Sequence, residues 1–168
     1  QKAPAKPGDA WPLQPNTIHP PEIFEEVSPL RVHPMELTAE DILPFLPDGA
    51  EIDQSNDRRV ASVMKVTAEC SSIHTAATHL LESQAWDFAA IYYDAIDHYS
   101  HGFMRYRAPQ QASVSDHDFK MYRHVVDMGY VYHDMMLKQL LEYADDDTTV
   151  ILISDHGFHP DHLRPAFL

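Results

Sequence analysis

The sequence predicts an α/β fold in which helices cover a parallel sheet. Two short apolar runs, DFAAIYY at residues 87–93 and TTVILI at residues 148–153, have the length and the side chains of buried strands. Each run follows a longer segment with helical periodicity, so the order along the chain is helix, strand, helix, strand. Parallel strands require helical connections of this kind, and the order therefore predicts a parallel α/β unit.

Local signals place the predicted helices. From residue 55 to about residue 84, apolar side chains recur at every third or fourth position, which is typical of an amphipathic helix. Ser115 and Asp118 have the spacing that caps a second helix before the last strand. Thr38 and Asp41 have the spacing of a capping box at the start of a short helix. The two longer helices are the expected cover of the sheet.

The chain is predicted to consist of a proline-rich extended arm, residues 1–35, and an α/β domain, residues 36–168. Ten of the thirteen prolines fall in the first fifty residues, and proline favours extended backbone because it fixes φ and has no N–H to donate. No apolar run is long enough to span a membrane, and the N-terminus lacks the apolar region of a signal peptide. These observations leave the cellular compartment open.

The formal net charge of −14 argues against nucleic acid and membranes as partners, because phosphate groups would be repelled. The single cysteine, Cys70, excludes an internal disulfide and a thiolate zinc cluster. It lies on the apolar face of the first long helix, so we expect a buried structural thiol. The acidity and the 12 histidines are compatible with metal binding, although a solvated acidic surface also explains most of the charge.

Potential metal ligands follow both predicted strands. They are Asp94, Asp97, His98 and His101 after the first strand, and Asp155 and His156 after the second. Sites in open α/β sheets form beyond the carboxyl ends of the strands, and neighbouring strands lie only about 4.8 Å apart. Carboxylate oxygen and imidazole nitrogen without sulfur suit zinc or manganese. An alternative stays open, in which each Asp caps a turn and each His makes a surface hydrogen bond.

Two motifs resemble those of a known family. ISDHGF at residues 153–158 resembles the Ser-Asp-His-Gly signature of the alkaline phosphatase superfamily, especially its type I phosphodiesterase/nucleotide pyrophosphatase branch. DAIDHYSHGF at residues 94–103 resembles the Asp-x-x-x-His metal motif of that branch, with Asp97 and His101 in the motif positions. The resemblance covers residues 86–165. It implies a parallel-sheet three-layer sandwich of the alkaline phosphatase type, here incomplete and preceded by the proline-rich arm.

The resemblance also implies a reaction and its cofactors. Asp97 and His101 would bind one divalent ion, and Asp155 and His156 would bind a second; zinc is expected, with manganese as the alternative. In the family, the two ions flank a Thr or Ser nucleophile that attacks a phosphoric ester, and the resulting phospho-enzyme is hydrolysed by water. The expected substrate of the whole enzyme is therefore a small phosphate ester.

The sequence departs from the family pattern in two respects. It offers no nucleophile after an upstream strand, and it offers two ligands for each ion where the family has three or more. His159 and His162 follow the second motif but are interpreted as surface residues, and Arg164 as an ion-pair partner rather than a phosphate ligand. The chain is therefore interpreted as a fragment of a metal-dependent phosphoric ester hydrolase that is inactive alone.

A second interpretation is a non-catalytic α/β module that binds metal or assembles with other chains. Two strands alone leave unpaired sheet edges and apolar helix faces, and such surfaces favour association. We therefore expect the isolated chain to form a homo-oligomer.

Overall fold

The computed structural model describes residues 6–12 and 14–159, which fold as helices and loops. The α-helices of this part are α1 (Phe24–Val27), α2 (Ala39–Ile42), α3 (Arg59–Ser83), α4 (Ala95–Phe103), α5 (Asp116–Tyr122) and α6 (Val125–Leu141). Single turns of 3-10 helix lie at Pro21–Ile23, Ser28–Leu30, Pro34–Glu36, Gly49–Glu51 and Met104–Tyr106. None of the described helices is both long and apolar enough to cross a membrane.

The predicted parallel-sheet three-layer sandwich is wrong for the described residues, which contain no strand. Residues 87–93 and 148–153 have no regular secondary structure, and their backbones form no ladder of hydrogen bonds with a described segment. Apolar side chains in them are exposed to solvent, Phe88 by 84% and Ile151 by 75%. The apolar pattern of a strand is local, but a strand exists only when a neighbouring segment satisfies its N–H and C=O groups. No described segment lies beside either run in that way.

Helix α3 confirms the predicted long helix, although it begins later than residue 55. A turn precedes it, in which the Asp53 carboxylate accepts hydrogen bonds from Ser55 N at 3.0 Å and from Asn56 Nδ2 at 2.7 Å. The helix itself contains neither glycine nor proline. Its buried residues follow the expected spacing of three and four and include Val60, Val63, Thr67 and Cys70.

Helix α4 follows residues 87–93, in a part of the chain for which the sequence analysis predicted no helix. Its buried residues are Ala95, Tyr99, Ser100 and Phe103. The helix packs against both α3 and α6, and the hydroxyl of the fully buried Tyr99 lies 2.7 Å from Thr67 Oγ1 of α3. Gly129 of α6 permits this close packing, because a Cβ atom at that position would lie 2.7 Å from Tyr99 Cδ2. The three helices α3, α4 and α6 thus enclose the centre of the core.

The predicted second helix is divided into α5 and α6 by a short break. Ser115 caps α5 as predicted, since its Oγ accepts a hydrogen bond from Asp118 N at 3.1 Å. The capping box before α2 is also confirmed, with Thr38 N donating to the Asp41 carboxylate at 2.7 Å. Caps are formed by residues close together in sequence, which is why the sequence alone predicted both of them.

A cluster around Arg59 fastens the start of α3 to α5 and to the Met104–Tyr106 turn. The guanidinium donates to Asp57 at 2.6 Å, to Asp118 at 2.8 Å and to Tyr106 Oη at 2.9 Å. It also lies 4.1 Å from the ring centroid of Tyr122, whose hydroxyl donates to Asp57 Oδ2 at 2.6 Å. The Arg59 guanidinium thereby holds the pKa of Asp57 well below its usual range. No sequence motif predicted this cluster.

Residues of the predicted arm contact α3. Val32 N donates to Ser72 Oγ at 2.8 Å, and the Glu26 carboxylate of α1 lies 2.8 Å from His79 Nε2. These contacts place the segment around residues 26–32 against the long helix. The division of the chain into an arm and a domain stays a prediction.

Candidate metal centre

Helix α4 carries Asp97 and His101, the first pair of predicted ligands. The two residues are four positions apart and therefore neighbours on the helix surface, with His101 Nε2 3.4 Å from Asp97 Oδ1. Tyr99 and Phe103 on the buried side fix the helix to the core. The direction in which the two ligands point therefore depends on core packing as well as on the motif.

The segment after residue 153 brings His156 to the same carboxylate. His156 Nε2 lies 3.8 Å from Asp97 Oδ1. Phe158 secures this segment, because its ring packs edge-on against the His101 ring at 4.8 Å between centroids and also contacts the hydrophobic core. Ser154 Oγ donates to the His156 carbonyl at 2.6 Å, which tightens the backbone between the two residues. The two motifs thus meet without a sheet to join them.

The hydrogen bond at the other ring nitrogen of His156 defines what Nε2 can do. Nδ1 lies 3.0 Å from the carbonyl oxygen of Gly157. A carbonyl oxygen only accepts, so Nδ1 carries the hydrogen and Nε2 of the neutral ring presents a lone pair toward Asp97. The Gly157 carbonyl raises the pKa of His156, and the nearby carboxylates of Asp155 and Asp97 also raise it. Nε2 is therefore the atom that binds either a proton or a metal.

Asp97 Oδ1 lacks a hydrogen-bond donor. The atom is buried and accepts no hydrogen bond from any residue that the structure describes. A buried carboxylate oxygen in that condition is costly, and a bound cation would offset the cost. One carboxylate oxygen beside two imidazole nitrogens is also a donor set that suits zinc or manganese. The donor types therefore fit a divalent ion. Within residues 6–12 and 14–159, however, no group of three or more His, Cys, Asp or Glu side chains is arranged so that it could hold one.

Asp155 lies at the edge of this group. Its side chain is 84% exposed, and its Oδ2 atom lies 3.8 Å from His156 Nε2. The structure thus brings Asp97, His101 and His156 together and leaves Asp155 in solvent beside them. The assignment of these four residues to two separate ions stays a prediction.

The other described candidate residues, Asp94, His98 and His159, make no hydrogen bond or ion pair with the Asp97 side chain. Asp94, at the N-cap of α4, pairs with His98, with 3.2 Å between the carboxylate and Nε2. His159 is exposed. His162 and Arg164 lie outside the described residues.

Two features of the site escaped the sequence analysis. One is the helical state of α4, for which a signal was present, since Ala95, Tyr99 and Phe103 recur at every fourth position. The other is Phe158, which directs the second motif onto the first. An aromatic side chain shortly after a ligand motif is too common to be recognised as an anchor before its contacts are known.

Comparison with known proteins agrees with the two motifs. The family model for type I phosphodiesterase / nucleotide pyrophosphatase matches residues 14–163, a range that includes both of them. The resemblance indicated by the motifs is thereby confirmed. No curated protein and no solved structure matches the chain.

Proposed function

Because the chain belongs to the type I phosphodiesterase/nucleotide pyrophosphatase family, we propose that α4 and residues 154–158 form part of a metal-dependent site for hydrolysis of phosphoric esters. The family indicates phosphodiesterase- or nucleotide pyrophosphatase-like activity. The main support for a metal site at these residues is Asp97 Oδ1. This atom is buried, accepts no hydrogen bond from the described residues and lies near two imidazole nitrogens.

The residues have separate tasks in this proposal. Asp97 and His101 hold one divalent ion, and His156 and Asp155 contribute to a second. Bound ions would lower the pKa of an oxygen nucleophile and neutralise charge on the phosphoryl oxygens. This neutralisation matters in a chain of net charge −14, which otherwise repels an anionic substrate. The Gly157 carbonyl keeps the hydrogen of His156 on Nδ1, so that Nε2 stays available to a metal.

We further propose that the isolated chain does not turn over phosphoric esters. The reaction of the family needs a Ser or Thr hydroxyl beside the ions. The sequence offers no Ser or Thr nucleophile after an upstream strand, and the described residues contain no strand that would place one beside the ions. Zinc or manganese added to the chain should therefore bind without producing hydrolysis of bis(4-nitrophenyl) phosphate beyond that caused by the ion alone. Turnover that Asp97→Asn abolishes would refute the proposed inactivity.

Measurement of the metal content tests whether the chain binds a divalent ion at Asp97. After loading with Zn²⁺ and removal of loosely bound ions, the chain should retain at least one equivalent, and Asp97→Asn should retain none. Asp94→Asn is a matched control, because Asp94, at the N-cap of α4, also pairs with a histidine four residues later. It should retain as much zinc as the unmodified chain. A metal content near zero in the unmodified chain would refute the proposed centre.

A second candidate function is assembly of the chain with copies of itself. It is supported by residues 87–93 and 148–153, which expose apolar side chains and backbone without a hydrogen-bonded neighbour in the described structure. Sedimentation velocity should show an oligomer, and Ile151→Lys should shift it toward the monomer. Met35→Lys is the control, since Met35 is almost equally exposed, by 71%, on the 3-10 turn before α2. A monomer at all concentrations would exclude this function.

Salt provides an independent check on assembly. The charge of −14 on each copy opposes association, and added salt screens that repulsion while apolar contacts persist. Association should therefore strengthen as the salt concentration rises. Dissociation by salt would instead indicate that ion pairs hold the copies together.

A further inference from the structure

Ser100 is almost fully buried, and its hydroxyl group makes no hydrogen bond to a described residue. It lies on α4 at 1% exposure, and its Oγ atom has no hydrogen-bond partner among the described residues. Ser72 of α3 shows the ordinary state of a buried serine. It is exposed by only 2%, yet its Oγ donates to the Ala68 carbonyl at 2.8 Å and accepts from Val32 N at 2.8 Å. An unpaired buried hydroxyl weakens the fold, so the presence of Ser100 calls for an explanation outside stability.

The position of Ser100 supplies one. Two buried side-chain oxygen or nitrogen atoms without a hydrogen-bond partner are found in the described part of the chain, Ser100 Oγ and Asp97 Oδ1. They belong to the same helix and are three residues apart, which makes them neighbours on its surface. The two atoms are also complementary, because a hydroxyl can donate a hydrogen bond and a carboxylate oxygen can only accept one.

We propose that Ser100 is a positioning residue of the metal centre: when an ion is bound, its hydroxyl donates to the Asp97 carboxylate and holds Oδ1 toward the two imidazoles. This inference rests on the proposed function. Residues three apart on a helix have Cβ atoms about 5–6 Å apart, and carboxylates that bind metals are themselves commonly held by hydrogen bonds. The hydroxyl then satisfies one lone pair of Oδ1 and leaves the other for the ion. Ser100 thus lowers the stability of the metal-free chain and raises its affinity for metal.

The test measures two quantities, Zn²⁺ affinity by competition with a chelating dye and the melting temperature of the metal-free protein. Ser100→Ala removes the hydroxyl and leaves a methyl group in nearly the same space. It should weaken Zn²⁺ binding by about 10- to 100-fold, the range found for residues that orient metal ligands. Its metal-free melting temperature should equal or exceed that of the unmodified chain, because no hydrogen bond is lost.

Ser72→Ala is the matched control and should behave in the opposite way. It removes a bonded hydroxyl and leaves Val32 N without its acceptor, so the melting temperature should fall while Zn²⁺ affinity stays unchanged. The inference is overturned if Ser100→Ala binds Zn²⁺ as tightly as the unmodified chain while Asp97→Asn has lost Zn²⁺ binding. That result would leave the proposed metal centre intact. The inference is also overturned if Ser100→Ala lowers the metal-free melting temperature as Ser72→Ala does. Absence of Zn²⁺ binding by the unmodified chain would refute the metal centre and the inference together.

Discussion

Replacing Gly129 with alanine should destabilise the protein, even though alanine favours a helix more than glycine does. In an exposed helix the change gains about 1 kcal/mol. At position 129 of α6, however, the new Cβ atom would lie 2.7 Å from Tyr99 Cδ2, 3.3 Å from Cε2 and 3.4 Å from Cγ. The first of these distances is well below van der Waals contact, so the ring or one of the two helices has to shift.

The ring of Tyr99 has little room to shift. It is fully buried, and its hydroxyl is hydrogen-bonded to Thr67 Oγ1 on α3. Overpacking a core typically costs about 1–3 kcal/mol, and a strained or lost hydrogen bond adds about 1 kcal/mol. After subtraction of the helical gain, we expect a net loss of about 1–3 kcal/mol. For a chain of this size that corresponds to a fall of about 2–12 °C in melting temperature.

Gly102→Ala provides the control for this experiment. Gly102 lies on α4, and a Cβ atom there meets nothing within 4 Å. The substitution should therefore leave stability unchanged or raise it by up to about 1 kcal/mol. The two variants are compared by thermal and urea unfolding of the metal-free protein.

A double-mutant cycle identifies the cause. In a Tyr99→Leu background the aromatic ring is gone, and Gly129→Ala should cost much less than it does in the unmodified chain. The packing argument is refuted if Gly129→Ala is as stable as Gly102→Ala. It is refuted as well if the cost of Gly129→Ala is the same in both backgrounds.

Three further predictions concern the rest of the core. Arg59→Met should lower the free energy of unfolding by about 2–3 kcal/mol, since it removes charge-assisted hydrogen bonds and leaves Asp57 without its cation, whereas the exposed Arg105→Met should change it by less than about 0.5 kcal/mol. Burial lowers the pKa of His133 below its ordinary value of 6.5, so the unfolded chain takes up the proton at a higher pH than the folded chain does. The free energy of unfolding should therefore decline as the pH falls through and below 6.5. The urea midpoint of His133→Gln should decline less over that range. Burial also raises the pKa of the Cys70 thiol to about 12, and at pH 8 a thiol reagent should react with the folded chain far more slowly than with the chain in urea, with equal rates as the contradicting result.

The elements that the sequence predicted correctly are those whose cause is local. The spacing of Val60, Val63 and Thr67 establishes α3, and the Ser115 cap requires only a backbone N–H three residues away. The strand predictions failed at residues 87–93 and 148–153 because pairing depends on a segment elsewhere in the chain or in another chain. An apolar run indicates that burial of the segment is favourable, but it does not indicate which other segment covers it.

The candidate site divides in the same way. The two motifs predicted Asp97, His101, Asp155 and His156 as ligands, because ligand chemistry and spacing are visible in the sequence. The approach of His156 Nε2 to Asp97 Oδ1 was not visible, because it depends on where Phe158 packs. The condition of Ser100 was equally hidden, since an unpaired hydroxyl can be recognised only after every neighbour of the atom is known.

Helix α4 is only nine residues long, and a helix of that length has no stability of its own in water. It exists because Tyr99 and Phe103 are held by α3 and α6 on the far side from solvent. Asp97 and His101 therefore acquire their spacing only when the whole core has folded, and the unfolded chain has no preformed pair of ligands. Any ligand that binds this pair only in the folded chain therefore stabilises the packed helices α3, α4 and α6 against unfolding. At a free concentration 100 times its dissociation constant, such a ligand would add about 2.7 kcal/mol to the free energy of unfolding. Ligand binding at the surface of α4 and the stability of the buried core are then thermodynamically linked.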